Sequence, residues 1–142
     1  MNASNSLLLE RETARLDALE RCCILDTPQE TIYDDLAQMA AQLCDTPIAA
    51  ITFIDRHRQW FKAGHGLGGL SEIARESSFC AHALYGTKDL MVVPDISEDA
   101  RFADNPLVCG EPFLRFYAGV SLHSPESGHM LGSLCVLDYR PR

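Results

Sequence analysis

Five short blocks in the second half of the chain decide the fold. They read ESSFCAHA at residues 76–83, VVPD at 92–95, ARFADNP at 100–106, RFYAG at 115–119 and GSLCVLD at 132–138. Working outward from these blocks, the apolar and β-branched content predicts strands at Leu90–Val93, Arg115–Leu122 and Leu131–Asp138. Pro125 to Gly128 supplies the turn signal between the last two strands.

The first half of the chain adds two helices and two strands. Residues 7–25 are predicted as a helix with a narrow apolar stripe (Leu9, Leu16, Leu19, Cys23) that suits either a helix–helix seam or packing on the same domain. Thr27-Pro28-Gln29-Glu30 predicts a capping box that opens a second helix. We expect that helix to bury the face that carries Ile32, Leu36, Met39, Ala40 and Leu43.

The almost continuously apolar stretch 48–54 predicts a central strand covered on both faces, and 59–63 predicts the returning strand. Gly64, Gly66, Gly68 and Gly69 indicate a flexible loop rather than a phosphate-binding turn, because no helix follows them. Residues 78–85 predict a short helix capped by Ser77 or Ser78. The order of elements indicates an α+β fold with an antiparallel sheet of about five or six strands and helices packed on one face.

Composition narrows the function classes. The chain has 142 residues, 46% of them apolar, which fits a single domain with a sizeable core. Its 12 basic and 20 acidic residues give a net charge of −8, which argues against a nucleic acid or an anionic membrane as partner. No signal peptide or membrane-spanning stretch is visible. The six cysteines indicate reduced thiols in a cytoplasmic protein rather than a disulfide framework.

Taken together and in this order, the five blocks resemble the GAF domain, a small sensory module of bacterial signal transduction. The resemblance covers roughly residues 15–140. It is closest to the subgroup found beside histidine kinase, diguanylate cyclase and other output domains. It implies a GAF/PAS-like sheet with short helices roofing a pocket, a homodimer formed through the N-terminal helix, and relay of ligand or redox state through the terminal helices. The C-terminal helix usual in this family is expected to be missing.

The resemblance places a ligand pocket between the sheet and the segments Phe79–Leu84 and Asp95–Asn105. The candidate ligand-binding residues on and around these segments are Trp60, Phe79, Cys80, His82, Asp95, Arg101, Phe102, Phe116 and Tyr117. No catalytic residue, metal ligand or cofactor is predicted, and the small-molecule ligand is unknown. Arg101 and Arg115 need partners within their apolar segments, and we expect carboxylates such as Asp95 or Glu111, or an anionic ligand.

The cysteine and histidine of the first block leave alternatives open. Cys80 is either buried filler or a reactive thiolate activated by the nearby His82, although two residues apart on a helix they do not share one face. The alanine between them does not match the adjacent Cys-His of bilin-binding GAF domains, and the cyclic-nucleotide signature is absent. Zinc and haem sites are not favoured, since no paired Cys or His spacing is present.

The predicted function is therefore a non-catalytic, small-molecule-sensing or regulatory domain, with an output domain in cis or in trans. One alternative is a thiol-dependent enzyme similar to free methionine-(R)-sulfoxide reductases, which are themselves GAF domains, with Cys80 and Cys109 as the candidate thiols. The other alternative is a dimerisation spacer with an empty pocket.

Overall fold

A six-stranded antiparallel sheet organises the molecule. The computed structural model describes residues 3–142, and its strands lie in the order β3-β2-β1-β6-β5-β4. The strands are β1 (Ile48–Ile54), β2 (Arg58–His65), β3 (Glu72–Ala74), β4 (Leu90–Val93), β5 (Phe116–His123) and β6 (Met130–Asp138). The helices are α1 (Ala3–Arg21), α2 (Thr31–Cys44) and the single turn α3 (Pro106–Cys109). This confirms the predicted α+β fold.

The two long helices cover one face of the sheet. Ala18 and Leu19 of α1 and Ala37 of α2 pack with Ile51 and Trp60 in one apolar cluster. The opposite face carries a second and larger cluster beneath the loops and short helices that follow β3. Because both faces are covered, every residue of β1 is buried, as its continuous apolar sequence predicts.

The predicted boundaries of the first helix are wrong. It spans 3–21 rather than 7–25. Two residues beyond its end, Cys23 adopts a positive φ of 52°, a conformation that does not continue a right-handed helix. The residues of its predicted apolar stripe differ in burial. Leu19 is buried in the domain and Leu16 is half-buried, whereas Leu9 and Cys23 are exposed.

The second helix exists where predicted, but its capping box and buried face are wrong. Thr27 donates to the carbonyl of Ile24, Glu30 pairs with Lys62 at 2.6 Å, and the helix begins at Thr31 without a side-chain cap. Only the small residues Ala37 and Ala41 of α2 are fully buried. Small side chains let α2 pack closely on the sheet, so its large apolar residues (Ile32, Leu36, Met39, Leu43) point outward and are 47–80% exposed.

Three further differences concern short elements. The edge strand β3 is not predicted, and Gly64 belongs to β2 rather than to the following loop. The predicted helix at 78–85 is a 3₁₀ helix limited to Cys80–Ala83. Its predicted capping residue Ser78 accepts a hydrogen bond from the backbone of Ala81. No helix within residues 3–142 is long and apolar enough to cross a bilayer.

Candidate functional site

A cavity of about 500 Å³ lies on the face of the sheet opposite α1 and α2. The sheet contributes residues of five strands, Ile73 of β3 among them, and those of one strand alternate along it because successive side chains point to opposite faces. The other strand residues of the lining are Ile48, Ala50, Gln59, Phe61, Tyr117, Cys135 and Leu137. The loop 66–70 forms one wall and carries three glycines. Phe79 and Cys80, with Leu107, Pro112 and Leu114, complete the enclosure.

The cavity lining is largely apolar. Among its described residues none is Asp, Glu, Lys, Arg or His, and its polar groups are those of Gln59, Tyr117, Tyr139 and the two cysteines. Burying a formal charge there would carry a large desolvation cost without a counter-charge. The arrangement therefore suits a neutral and largely apolar molecule.

The polar groups of the cavity converge on the sulfur of Cys80. The hydroxyl of Tyr117 lies 2.9 Å from Cys80 Sγ, the hydroxyl of Ser133 donates to it at 2.9 Å, and the amide of Gln59 donates at 3.4 Å. Cys135, two residues along β6 from Ser133, belongs to the same buried cluster as Cys80. Cys80 is 1% exposed, so this cluster lies almost completely out of bulk water.

The pKa values of the two buried cysteines shift in opposite directions. Hydrogen bonding by Cys135 lowers the pKa of Cys80, burial opposes this, and the hydroxyls of Ser133 and Tyr117 add to the lowering. The hydrogen bond to Cys80 and burial both raise the pKa of Cys135. Burial and the neighbouring Cys80 charge raise the pKa of Tyr117. The geometry therefore favours a thiolate on Cys80 and a retained proton on Cys135.

An ionic network joins α1 to the segment that holds Phe79 and Cys80. Glu12 of α1 accepts hydrogen bonds from Arg75 at 2.6 Å and from the hydroxyl of Tyr85, so it contacts both ends of the roof segment, residues 75–85. It also forms a two-bond pair with Arg15 at 3.0 Å, and Arg15 donates to the carbonyl of Ile54 at the end of β1. Arg15 is 2% exposed, so the network is anchored in the interior.

The arrangement of sheet, cavity and covering segments matches a known family. A sequence model described as the GAF domain matches residues 28–142. The chain belongs to the GAF domain family. The resemblance read from the five sequence blocks is therefore confirmed.

Relatives of this GAF domain extend the comparison. The cyclic di-GMP phosphodiesterase PA2567 of Pseudomonas aeruginosa is 41% identical over 133 residues, which cover 94% of this chain and 22% of that protein. The chain thus spans about a fifth of its curated relative.

Solved structures share the fold at low identity. The GAF domain of an Acinetobacter phosphoenolpyruvate-protein phosphotransferase superposes with a TM-score of 0.60 at 17% identity, covering 91% of this chain and 79% of that one. A free methionine-R-sulfoxide reductase from Neisseria meningitidis superposes with a TM-score of 0.60 at 14% identity, covering 99% of this chain and 78% of that one. At these identities the likeness shows the fold alone.

The GAF domain brings three of the nine candidate residues to the cavity, namely Phe79, Cys80 and Tyr117. Trp60 and Phe116 lie on the other face of the sheet. Trp60 packs with the cluster under α1, and Phe116 packs with Ala41 of α2. The reason is strand alternation, because the adjacent residues Phe61 and Tyr117 take the cavity face.

The remaining four candidates lie outside the cavity lining. His82 is exposed and its ring contacts the ring of Phe102, with centroids 4.7 Å apart. Phe102 is buried and packs edge-on against Phe79 at 5.2 Å. Asp95 caps the 3₁₀ helix Ile96–Glu98 by accepting from Ser97. Burial and the Arg101 charge lower the pKa of His82.

The expectation of carboxylate partners holds for Arg101, although its partner is Asp99 and not Asp95 or Glu111, and it is wrong for Arg115. Arg101 pairs with Asp99 at 2.8 Å, and Arg115 donates to the carbonyls of Val108 and Leu114 at 2.9 Å. Neither arginine reaches Asp95 or Glu111, because both find nearer acceptors within their own loops.

Sequence reasoning did not identify Gln59, Ser133 or Cys135 as parts of the site. A polar residue inside an otherwise apolar strand was the available signal, since a buried polar group requires a partner. The predicted alternative pair, Cys80 and Cys109, is not brought together. The Cys109 thiol is exposed and donates to the carbonyl of Asn105. Within residues 3–142, no group of three or more His, Cys, Asp or Glu side chains could hold a metal ion.

Proposed function

We propose that this GAF domain is a non-catalytic sensor that binds a small, neutral, largely apolar molecule and relays its presence through α1. The observation that carries the proposal is the largely apolar cavity of about 500 Å³, whose described lining contains no Asp, Glu, Lys, Arg or His. Pockets of this size and composition are typical of small-molecule sites. A regulatory role also agrees with the general character of the family.

The cavity chemistry separates this ligand class from two others. Cyclic di-GMP carries two phosphates and free methionine sulfoxide is a zwitterion, so both would require charged partners. None of the described lining residues supplies one. The proposal therefore favours sensing over the reductase alternative, and it does not make cyclic di-GMP the ligand.

The class of output domain is proposed from the similarity to PA2567. Because the similar segment of PA2567 belongs to a protein named a cyclic di-GMP phosphodiesterase, we propose that this domain regulates an output domain of cyclic di-GMP signalling. That output domain would be joined to it or would associate with it.

The relay is proposed to run through Glu12. A ligand that displaces Phe79 or Cys80 moves the roof segment, and Arg75 and Tyr85 connect both ends of this segment to Glu12. Side chains that are buried and paired transmit displacement because they cannot relax independently. The packing of α1 would then differ between the empty and occupied states.

We also propose a homodimer, with α2 rather than α1 as its main contact. The exposed residues Ile32, Leu36, Met39 and Leu43 (the α2 stripe) are spaced by four, three and four positions, which is the spacing of a coiled-coil seam. Leu7, Leu8 and Leu9 of α1 are also exposed and could extend the contact. A second copy of the domain would cover this apolar stripe.

Native mass spectrometry of the purified protein tests the sensor. We expect a bound small molecule, or saturable binding of a neutral fluorescent probe. Leu67→Trp should fill the cavity and abolish binding, because Leu67 lines one wall. Leu90→Trp is the matched control, since Leu90 is exposed on β4 away from the cavity. A dimer that carries no ligand and binds no probe would instead support the spacer alternative.

A further inference from the structure

Two of the six cysteines are buried beside each other. Cys80 begins the 3₁₀ helix of the roof segment and Cys135 lies on the central strand β6, and both line the cavity. The other four cysteines (22, 23, 44 and 109) are exposed free thiols. The buried pair is therefore distinguished by position from every other thiol of the chain.

The surroundings of the pair are built for a thiolate. Three neutral groups, from Tyr117, Ser133 and Gln59, lie within 3.4 Å of Cys80 Sγ. Hydrogen bonds to a charged acceptor stabilise its charged form, and the thiolate is the nucleophilic form of cysteine. Packing alone would need an apolar environment around the sulfur rather than three polar ones.

We propose that Cys80 and Cys135 form a hydroperoxide-reactive dithiol site at the floor of the cavity. The inference rests on the proposed sensory role and gives that role a redox input. The oxidant is hydrogen peroxide or a small neutral organic hydroperoxide, because the largely apolar lining admits a neutral molecule.

The chemistry proceeds in two balanced steps. The Cys80 thiolate attacks the terminal oxygen of the hydroperoxide, the O–O bond breaks, and the leaving alkoxide takes a proton from solvent to form an alcohol. Cys80 is then a sulfenic acid. The Cys135 sulfur attacks the Cys80 sulfur, the S–O bond breaks, and the hydroxide leaves with the Cys135 proton as water. Overall, two thiols lose two electrons and the hydroperoxide gains them.

The disulfide would connect the roof segment directly to the sheet. Cys80 would lose the charge that Tyr117, Ser133 and Gln59 now stabilise. The roof segment also carries Arg75 and Tyr85, which both contact Glu12. A displacement of this segment on oxidation would therefore change the same contacts as ligand binding.

A variant with Cys22, Cys23, Cys44 and Cys109 changed to Ser isolates the pair. The reduced variant is treated with tert-butyl hydroperoxide without oxygen, and mass spectrometry follows the product. We expect a loss of two hydrogens and a Cys80–Cys135 disulfide in the peptide map. Adding Cys135→Ser should stop the reaction at a sulfenic acid on Cys80, trapped by dimedone, and adding Cys80→Ser should abolish it.

Tyr117→Phe in the same variant tests the role of the surroundings. Loss of one donor should raise the Cys80 pKa and slow oxidation at pH 7 by roughly three- to tenfold. The rate–pH profile should move to higher pH. Tyr139→Phe is the matched control, because Tyr139 lines the cavity and no hydrogen bond between its side chain and Cys80 is seen in residues 3–142.

The inference is wrong if the folded variant keeps both thiols in excess hydroperoxide, or if Tyr117→Phe and Tyr139→Phe react alike. Probe binding, measured on the Cys80→Ser variant, reports separately on the sensory cavity. Probe binding without thiol oxidation would overturn only the proposed dithiol site. Formation of the disulfide as expected, without probe binding, would support the dithiol site and count against the proposed ligand cavity.

Discussion

Replacing Glu12 by Gln should destabilise the domain far more than removal of an ordinary surface charge. Glu12 accepts from Arg15, Arg75 and Tyr85, and Arg15 is 2% exposed. Gln keeps the size of the side chain but leaves the buried Arg15 guanidinium without a counter-charge. Breaking a buried pair in this way costs about 3–5 kcal/mol. Because the Glu12 side chain is 19% exposed, we expect about 2–3 kcal/mol.

Thermal unfolding monitored by circular dichroism measures the effect. A chain of 142 residues has an unfolding entropy of about 0.3 kcal/mol/K, so the melting temperature should fall by roughly 7–10 °C. Asp17→Asn is the matched control on the same helix. Its partner is Arg21, and both side chains are more than half exposed, so the loss should be about 0.5 kcal/mol or less.

The pH dependence gives a second test of the same network. Burial alone would raise the pKa of Glu12, but hydrogen bonds from Arg15, Arg75 and Tyr85 outweigh it and hold the pKa well below its ordinary 4.5. A depressed folded-state pKa contributes stability above the unfolded pKa and loses it as pH falls towards the folded value. The difference between wild type and Glu12→Gln should therefore be largest near neutral pH and shrink below about 4.5. Equal melting temperatures for Glu12→Gln and Asp17→Asn, or a difference independent of pH, would refute the reasoning.

Three further perturbations test other parts of the structure. Lys62→Met should cost about 2 kcal/mol in urea unfolding, because the fully buried ammonium pairs with Glu30 and bonds Thr27 and Pro28; the exposed Lys88→Met is its control, and equal losses would contradict the expectation. Gly132→Ala should prevent stable folding, since the new Cβ would lie 1.8 Å from the Thr52 carbonyl oxygen, whereas Gly86→Ala meets only an ordinary contact at 3.6 Å and should fold. The double substitution Leu36→Glu and Leu43→Glu should yield monomers in sedimentation velocity, while Gln38→Glu with Gln42→Glu should leave the proposed dimer intact; a dimer that survives the leucine changes would place the contact elsewhere.

The strands of the core could be predicted from the sequence because burial on both faces leaves a direct signature. The unbroken apolar run of β1 and the block ending in β6 both lie at the centre of the sheet, as expected. The strand β3 could not be found, since three residues are too few to show alternation.

The face of α2 was predicted wrongly because residue size was taken as a proxy for burial. The face of α2 that packs closely on the sheet carries the small residues Ala37 and Ala41. When a helix has one face of small apolar residues and another of large apolar residues, the pattern of a single sequence does not show which of the two is buried. The capping box failed for a long-range reason. Lys62 lies more than thirty residues away along the chain, yet it takes both Thr27 and Glu30 as partners.

The candidate site was predicted in part, and the misses have different causes. Because side chains alternate along a strand, the two residues of each adjacent pair (Trp60 and Phe61, Phe116 and Tyr117) point to opposite faces of the sheet. The alternation does not show which face carries the cavity. That choice depends on where α1 and α2 pack. Gln59 and Ser133 were missed because their partner sulfur comes from a separate part of the chain.

The sheet separates the cavity on one face from α2 on the other. On β1, Ala50 faces the cavity while its neighbour Ala49 packs beside Ala41 of α2. On β6, Cys135 and Val136 divide in the same manner. Two small adjacent residues therefore separate an occupant of the cavity from the helix that carries the outward apolar stripe. In the proposed sensor, a shift of the β1 backbone would therefore move residues on both faces of the sheet at once.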